Sequence, residues 1–217
     1  MDAPLRLLLV RHGESESNAG EVSEDAASAA LTALGVRQAR AFADGLDASP
    51  ARFVVSPYRR ARETAAAAIA RFPGVPVETW PVQEFTFLSP AQYRGTTVAT
   101  RKPAAEAYWT AADPHAVTGE GAESFAAFLA RVRETRTRLE SAATGPIVVF
   151  SHKKFLNALL WTWLAGDPSP SSSRMRRYRE FDHAMPFVNA GCVEVRVDAG
   201  GAWVGAISVA HLEGLPA

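Results

Sequence analysis

The sequence predicts an α/β fold, a three-layer α/β/α sandwich around a central, mainly parallel sheet. Short apolar segments alternate with helix-like segments along the chain. Several of those short segments are apolar on both faces, as strands covered by helices on both sides must be. No internal repeat at solenoid periods interrupts the alternation.

The elements follow in order. "RLLLV" is a continuous apolar strand. "LTALGVRQARAFADGLDA" has helical periodicity, with Thr32 placed as its N-cap. "RFVVS" is a second strand. It leads into the Ala-rich helix "PYRRARETAAAAIARF", for which Ser56 is the expected cap and Pro57 the first helical residue. "VPVETW" is a third strand and "ESFAAFLARVRETRTRLESA" a long amphipathic helix. "PIVVFS" is a fourth strand feeding the helix "KKFLNALLWTWLA". "GCVEVRVD" and "AWVGAISV" form a closing hairpin around "AGG". Two stretches break the rhythm, 81–121 and 166–189. The first is loop-rich, with a short helix expected near Ala104 to Ala112. Long excursions in a compact domain are often functional, and these two are expected to cap a site on a single domain spanning 1–217.

Composition excludes several classes. The 23 basic and 23 acidic side chains give zero formal charge, so no global field draws the chain to nucleic acid or anionic lipid. One cysteine, Cys192, excludes an intrachain disulfide. The start "MDAPLRLLLVRHGE" lacks the basic flank and apolar length of a signal peptide, and no segment reaches transmembrane length. A cytoplasmic protein follows as the expectation. Nothing in the sequence sets the oligomeric state.

In open α/β sheets, ligands bind beyond the carboxyl ends of the strands. Arg11 and His12 follow the first strand, Ser56 and Arg60 the second, Glu84 comes shortly after the third, and His152 follows the fourth. Each has an ordinary reading alone: a post-strand polar residue, a solvated helix face, a surface acid, a helix cap. Two arginines, two histidines and a carboxylate converging from four segments point instead to a shared site.

"LLLVRHGESESN" resembles the signature of the histidine phosphatase superfamily, the phosphoglycerate-mutase-like family, R-H-G-x-S-x-x-N after an apolar strand. "LTALGVRQA", "SPYRRARETA", "GEGAESFAAFLARV", "VVFSH" and "FVNAGCVEV" resemble further blocks of that family in the same order. Two departures stand out. Lys153 and Lys154 follow the second histidine where the family has small residues. The acid segment "VQEFTFLS" has Val82 and Leu88 where the family has Leu and Gly.

The resemblance implies a metal-independent phosphomonoester hydrolase. His12 is then the nucleophile, forming a phosphohistidine, and Glu84 the proton donor. A neutral imidazole attacks phosphorus without charge repulsion, and covalent capture splits one hard displacement in two. Arg11 and Arg60 offer bidentate contacts to phosphoryl oxygens, Arg60 near a helix N-terminus. His152 stabilises the transferring group. Asn18, Gly13, Ser15 and Lys153 are expected around the bound phosphate, Gly13 by letting backbone approach it. No metal site and no cofactor is expected. The implied partners are a small phosphorylated substrate and inorganic phosphate as product, with no nucleic acid or membrane. If Glu84 is not the acid, Glu14, Glu120 and Glu123 are the next carboxylates. A mutase-type phosphotransferase and a non-catalytic phospho-ligand binder are the alternatives. The segment "VQEFTFLSPAQYRG" lacks the G-E-R-x-Y-G-x-L-x-G pattern of the mutases. The arginine-rich "RMRRYR", Arg174 to Arg179, either faces the pocket as a polyanion contact or is a solvated helix face. His115, His183 and His211 read as structural or surface residues.

Overall fold

The computed structural model describes residues 4–141, 145–166 and 169–215. Met1 to Ala3, Ala142 at the expected end of the long helix, and 167–168 of the second excursion lie outside the described residues. Among the described residues, six strands form one mixed sheet, ordered β3-β2-β4-β1-β5-β6. They are β1 (Leu5–Arg11), β2 (Arg52–Val55), β3 (Val77–Thr79), β4 (Ile147–Ser151), β5 (Cys192–Asp198) and β6 (Gly201–Val204). The first four are mutually parallel, while β5 pairs antiparallel with β1 and β6 antiparallel with β5. The helices are α1 (Ala33–Asp44), α2 (Arg59–Arg71), α3 (Pro90–Tyr93), α4 (Val98–Ala111), α5 (Phe125–Ser141), α6 (Lys153–Leu164) and α7 (Ser172–Ala184). None of them is long and apolar enough to cross a membrane.

Alternation along the strands sorts the core into two clusters on opposite faces of the sheet. Leu7, Leu9, Val54, Ile147 and Val149 pack with α5 and α6, joined by Trp80, Phe85 and Tyr178. Val10, Phe53, Val55, Val148 and Phe150 pack with Phe42 and Ala43 of α1 and Ala65 and Ala68 of α2. Central β4 is buried at every position, which explains its unbroken apolar run. The stripe Phe125, Phe128, Leu129, Val132, Thr135 and Leu139 fixes the buried face of α5 at helical spacing. Thr32 caps α1 as its sequence indicates, accepting from the Gly35 N–H.

Several elements differ from their sequence readings. Ser56 and Pro57 do not open α2, which begins at Arg59 with Tyr58 as N-cap and no side-chain cap. Ser56 instead accepts from the Tyr58 N–H and turns its hydroxyl toward His152. In the first excursion the helix starts at Val98, six residues before Ala104. Thr97 caps it reciprocally with Thr100, and Pro103 lies inside. A proline usually marks a first turn, so reading the helix from Ala104 placed its start too late. The second excursion carries α7, capped by Ser171. β3 is shorter than "VPVETW" and lies at the sheet edge, with Val77 47% exposed. β6 covers only the start of "AWVGAISV". Beyond it the chain returns at one isolated bridge between Cys192 and Ser208.

The loop after β1 meets the start of α1 at a contact that leaves no room for side chains. A Cβ on Gly35 would sit 2.0 Å from the Glu14 carbonyl oxygen, and one on Gly13 would sit 2.6 Å from the Gly35 carbonyl oxygen. Both obstacles are backbone, so neither yields easily. Gly35→Ala is expected to destabilise the fold by at least ~2 kcal/mol through forced backbone shifts. Denaturant unfolding checks this, and a change within about 0.5 kcal/mol, typical of a neutral surface substitution, would contradict it.

Candidate active site

The carboxyl ends of β1, β2 and β4 lie side by side, and the chain beyond each carries chemistry. Arg11 closes β1. The His12 N–H extends the ladder by donating to the Ser151 carbonyl at the end of β4, and the Ser56 N–H donates to the Phe150 carbonyl. Arg11, His12, Ser15, Asn18, Arg60, Glu84 and Lys153 all line one cavity of about 400 Å³. That volume suits a small-molecule ligand.

His12 is 3% exposed. Its Nδ1 lies 2.7 Å from the Gly13 carbonyl, which can only accept, so Nδ1 carries the proton. Arg60 Nε–H, which can only donate, points at His12 Nε2 at 3.1 Å. The two partners define a neutral imidazole with its lone pair on Nε2. Burial, followed by the charges of Arg60 and Arg11, holds its pKa well below the ordinary value.

The arginines are fixed from behind. Arg60 Nη1 donates to the Ala26 carbonyl at 2.7 Å, and the guanidinium lies over the Tyr58 ring. Arg11 Nη1 donates to the Phe187 carbonyl at 2.6 Å, while its buried Nε has no partner. Burial lowers the pKa of both arginines, and Glu84 is the largest opposing charge on each. Asn18 Oδ1 accepts from the Ser15 hydroxyl and from Asn189 Nδ2, which orients the amide so that its own Nδ2 is the open end.

His152 does not line the cavity. It is fully buried behind His12, ring centroids 5.0 Å apart, and caps α6 without a side-chain cap bond. Its Nε2 is 2.8 Å from Ser56 Oγ and its buried Nδ1 has no partner. Burial, then Arg60, holds its pKa well below the ordinary value. Gly13 is also absent from the cavity wall. Its N–H donates to Thr64 Oγ1 and its carbonyl accepts from His12, so it supports the ring instead.

Glu84 is tied to the strand ends by its neighbours. The Ser151 hydroxyl donates to the Val82 carbonyl, and Arg131 Nη1 donates to the carbonyls of Pro81 and Gln83. One Glu84 oxygen accepts from the Phe85 N–H at 3.0 Å. Glu14, Glu120 and Glu123 do not reach the cavity. Glu14 accepts from the Thr32 hydroxyl and Glu123 is paired with Arg131. The other cavity carboxylate is Asp25, which sequence reasoning missed. Burial pushes its pKa up, but the N–H groups of Ala27 and Ser28 outweigh this and leave it below the ordinary value, a poor proton donor. An Asp directly before a small-residue run is a loop signal, which pointed to a turn and not to a site.

Arg101 and Lys102 of α4 and Lys154 of α6 also line the cavity. The first two went unnoticed because the misplaced start of α4 put them in a loop. The basic run Arg174 to Arg179 does not line it. Arg176 and Arg177 are exposed, and Arg179 pairs with Glu106 of α4. His115 and His183 are exposed, and His211 reaches the Ala190 carbonyl from beneath the site loop.

His12 and His152 set a pH dependence. Their folded pKa values are depressed, whereas in the unfolded chain they titrate near ~6.5. Below that pH the unfolded state binds more protons, so stability falls as pH is lowered through the window beneath ~6.5. His211, lowered by partial burial, acts in the same direction. Unfolding in phosphate-free buffer is expected to show a loss of ~2 kcal/mol between pH 7.5 and 5.5, from about 1.4 kcal/mol per proton per pH unit. Equal stability at the two pH values would contradict buried neutral histidines.

Comparison with known proteins identifies the family and the fold. The model of the histidine phosphatase superfamily (branch 1) matches residues 7–201. No curated protein matches the chain. Among solved structures, the chain is similar to the alpha-ribazole phosphatase from Shigella flexneri, with 25% identity, 93% of this chain and 95% of that one covered, and TM-score 0.72. It is also similar to a phosphoserine phosphatase from Entamoeba histolytica in complex with 3-phosphoglyceric acid, with 20% identity, 95% and 98% covered, and TM-score 0.73. A mycobacterial glucosyl-3-phosphoglycerate phosphatase gives 24% identity, 93% and 97% covered, and TM-score 0.70. The last two likenesses speak to the fold alone.

Proposed function

The chain belongs to the histidine phosphatase superfamily (branch 1), and from that premise we propose that it hydrolyses phosphomonoesters without a metal, through a phosphohistidine on His12. The observation that carries the reading is the neutral His12 ring, with its Nε2 lone pair held on a cavity wall between two guanidinium groups.

The substrate is a small phosphorylated molecule. Its phosphoryl oxygens displace the Arg60 Nε–H from His12 Nε2, and Arg60 and Arg11 then bind those oxygens. The His12 Nε2 lone pair forms a bond to phosphorus as the phosphorus–ester oxygen bond breaks. The leaving oxygen takes a proton from the Glu84 carboxyl. Nδ1–H stays on the Gly13 carbonyl and shares the positive charge of the phosphorylated ring. In the second step Glu84, now a carboxylate, takes a proton from water. The resulting hydroxide attacks phosphorus, the nitrogen–phosphorus bond breaks, and inorganic phosphate leaves with His12 neutral again.

His152 lies one ring behind. With its Nε2 accepting from the Ser56 hydroxyl, it stays neutral and off the cavity wall, and packs against the His12 ring as a positioning residue. Donors already aimed at developing charge are worth ~10²–10³ in rate each. The donors are guanidinium and amide groups, which supply the charge a metal would otherwise bring. We further propose that residues 81–121 act as a cap on the same domain, because Glu84 to Leu88 and α4 line the cavity, and that 166–189 braces that cap through the Arg179–Glu106 ion pair.

His12→Ala is expected to lower turnover at least ~10³-fold and to abolish acid-labile phosphate trapped on the protein. Glu84→Gln is expected to slow alkyl phosphates ~10²–10⁴-fold and activated aryl phosphates far less, because their leaving groups depart without a proton. Both measurements are made in a chelator. Phosphate trapped on another residue, equal slowing of both substrates, or turnover restored only by a divalent ion would each refute the assigned role concerned.

A further inference from the structure

A phosphoryl dianion is matched by Arg11 and Arg60, yet the cavity also holds Arg101, Lys102, Lys153 and Lys154, with Asp25 and Glu84 as the carboxylates on its wall. The surplus is not taken up by the protein. Asp25 is already satisfied by the N–H groups of Ala27 and Ser28. Lys153 alone of the four has an ion-pair partner, Asp182 at 4.0 Å. Among the described residues, no carboxylate lies within 4.0 Å of the charged nitrogens of Arg101, Lys102 or Lys154.

Arg101 is the most telling of them. It is 8% exposed, and a buried cation without a counter-ion is costly. It is nevertheless held rigidly: Nη1 donates to the Thr96 carbonyl at 3.0 Å and to Thr96 Oγ1 at 2.8 Å, and the guanidinium stacks over Tyr93 at 4.4 Å. Among the described residues, neither its Nε nor its Nη2 has a hydrogen-bond partner. A fork fixed in this way loses little entropy when it binds a carboxylate or a phosphate. Lys102 follows on the same turn of α4, and Lys154 comes from the first turn of α6. The same cavity wall carries apolar side chains, Phe85, Phe87, Leu88, Val98 and Ala105. Such a wall suits a short carbon spacer.

Resting on the phosphatase reading above, we infer that Arg101, Lys102 and Lys154 form a second-anion subsite. The substrate is then a phosphomonoester whose alcohol portion carries a further carboxylate or phosphate. The subsite lies on α4 and α6, not on the arginine-rich α7, whose exposed Arg176 and Arg177 face away from the cavity.

Three compounds of equal length test this: propyl phosphate, 3-phosphonooxypropanoate and propane-1,3-diyl bisphosphate. With the whole chain, kcat/KM for phosphate release is expected to be at least tenfold higher for one or both anionic compounds than for propyl phosphate. Which of the two leads tells carboxylate from phosphate. Arg101→Gln, Lys102→Ala and Lys154→Gln are each expected to reduce that ratio at least threefold, and all three together to bring it near unity. The pair Arg176→Ala and Arg177→Ala is expected to leave the ratio as it was. No preference in the parent chain, a preference that survives the triple variant, or one lost with the α7 arginines would overturn the subsite. Calorimetric titration of the same compounds reads the preference in affinity without turnover. If an activated aryl phosphate is not hydrolysed but the affinity preference holds and depends on the lysines, the hydrolase reading fails and the subsite stands. No preference in either assay overturns the subsite.

Discussion

A neutral imidazole buried between two guanidinium groups is the constraint on which the rest of this structure depends. A protonated His12 would face both positive charges without water to screen them. The ring must therefore be neutral, and the Gly13 carbonyl decides which nitrogen keeps the proton. That carbonyl is in turn placed by three fixed contacts. Thr64 of α2 holds the Gly13 N–H, the Gly13 backbone packs on Gly35 of α1, and the His12 N–H is locked to Ser151 at the end of β4. From the other side, the Ala190 N–H and Asn189 Nδ2 both donate to the His12 carbonyl. His12 thus sits where the ends of β1 and β4, two helix starts and the entry to β5 meet. No one of these elements can shift without moving the ring.

The same crowding explains what the cavity asks of its ligand. Four cations beyond the two arginines at His12 raise the energy of the empty site, because partly desolvated like charges repel. An anion that binds there relieves that repulsion and gains charge-assisted hydrogen bonds. The protein has spent little on internal counter-ions: Asp25 is turned into its own loop, and Glu84 faces both arginines. The field of a chain with zero formal charge is consequently concentrated at one place.

Much of this was legible in the sequence where the determinants are local. Unbroken apolar runs marked β1, β2 and β4, and the residues that follow them gave Arg11, His12, Arg60 and His152, because parallel strands put their carboxyl ends on one edge. Thr32 was readable as a cap because capping is decided within four residues. The unread parts are set by contacts distant in sequence. Ser56 before Pro57 has the form of a helix cap, but His152, 96 residues away, takes its hydroxyl. Gly13 looked like a residue kept small for a ligand, and it is kept small for Gly35. Glu84 was placed only approximately, since Arg131 and Ser151 draw its segment to the strand ends. Arg101 and Lys102 were hidden because Pro103, which normally starts a helix, lies inside one. The basic helix α7 attracted attention by composition alone, and composition does not say which way a helix faces.

The central claim is a charge state, and nitrogen NMR reads it directly. In protein carrying ¹⁵N-labelled histidine, assigned by comparison with His12→Gln, the His12 ring is expected to show a protonated Nδ1 and an unprotonated Nε2 from pH 8 to pH 5.5. Free histidine, with its pKa near ~6.5, becomes cationic over that range. An imidazolium signal for His12 at pH 6, or a neutral ring with the proton on Nε2, would contradict the account at its root.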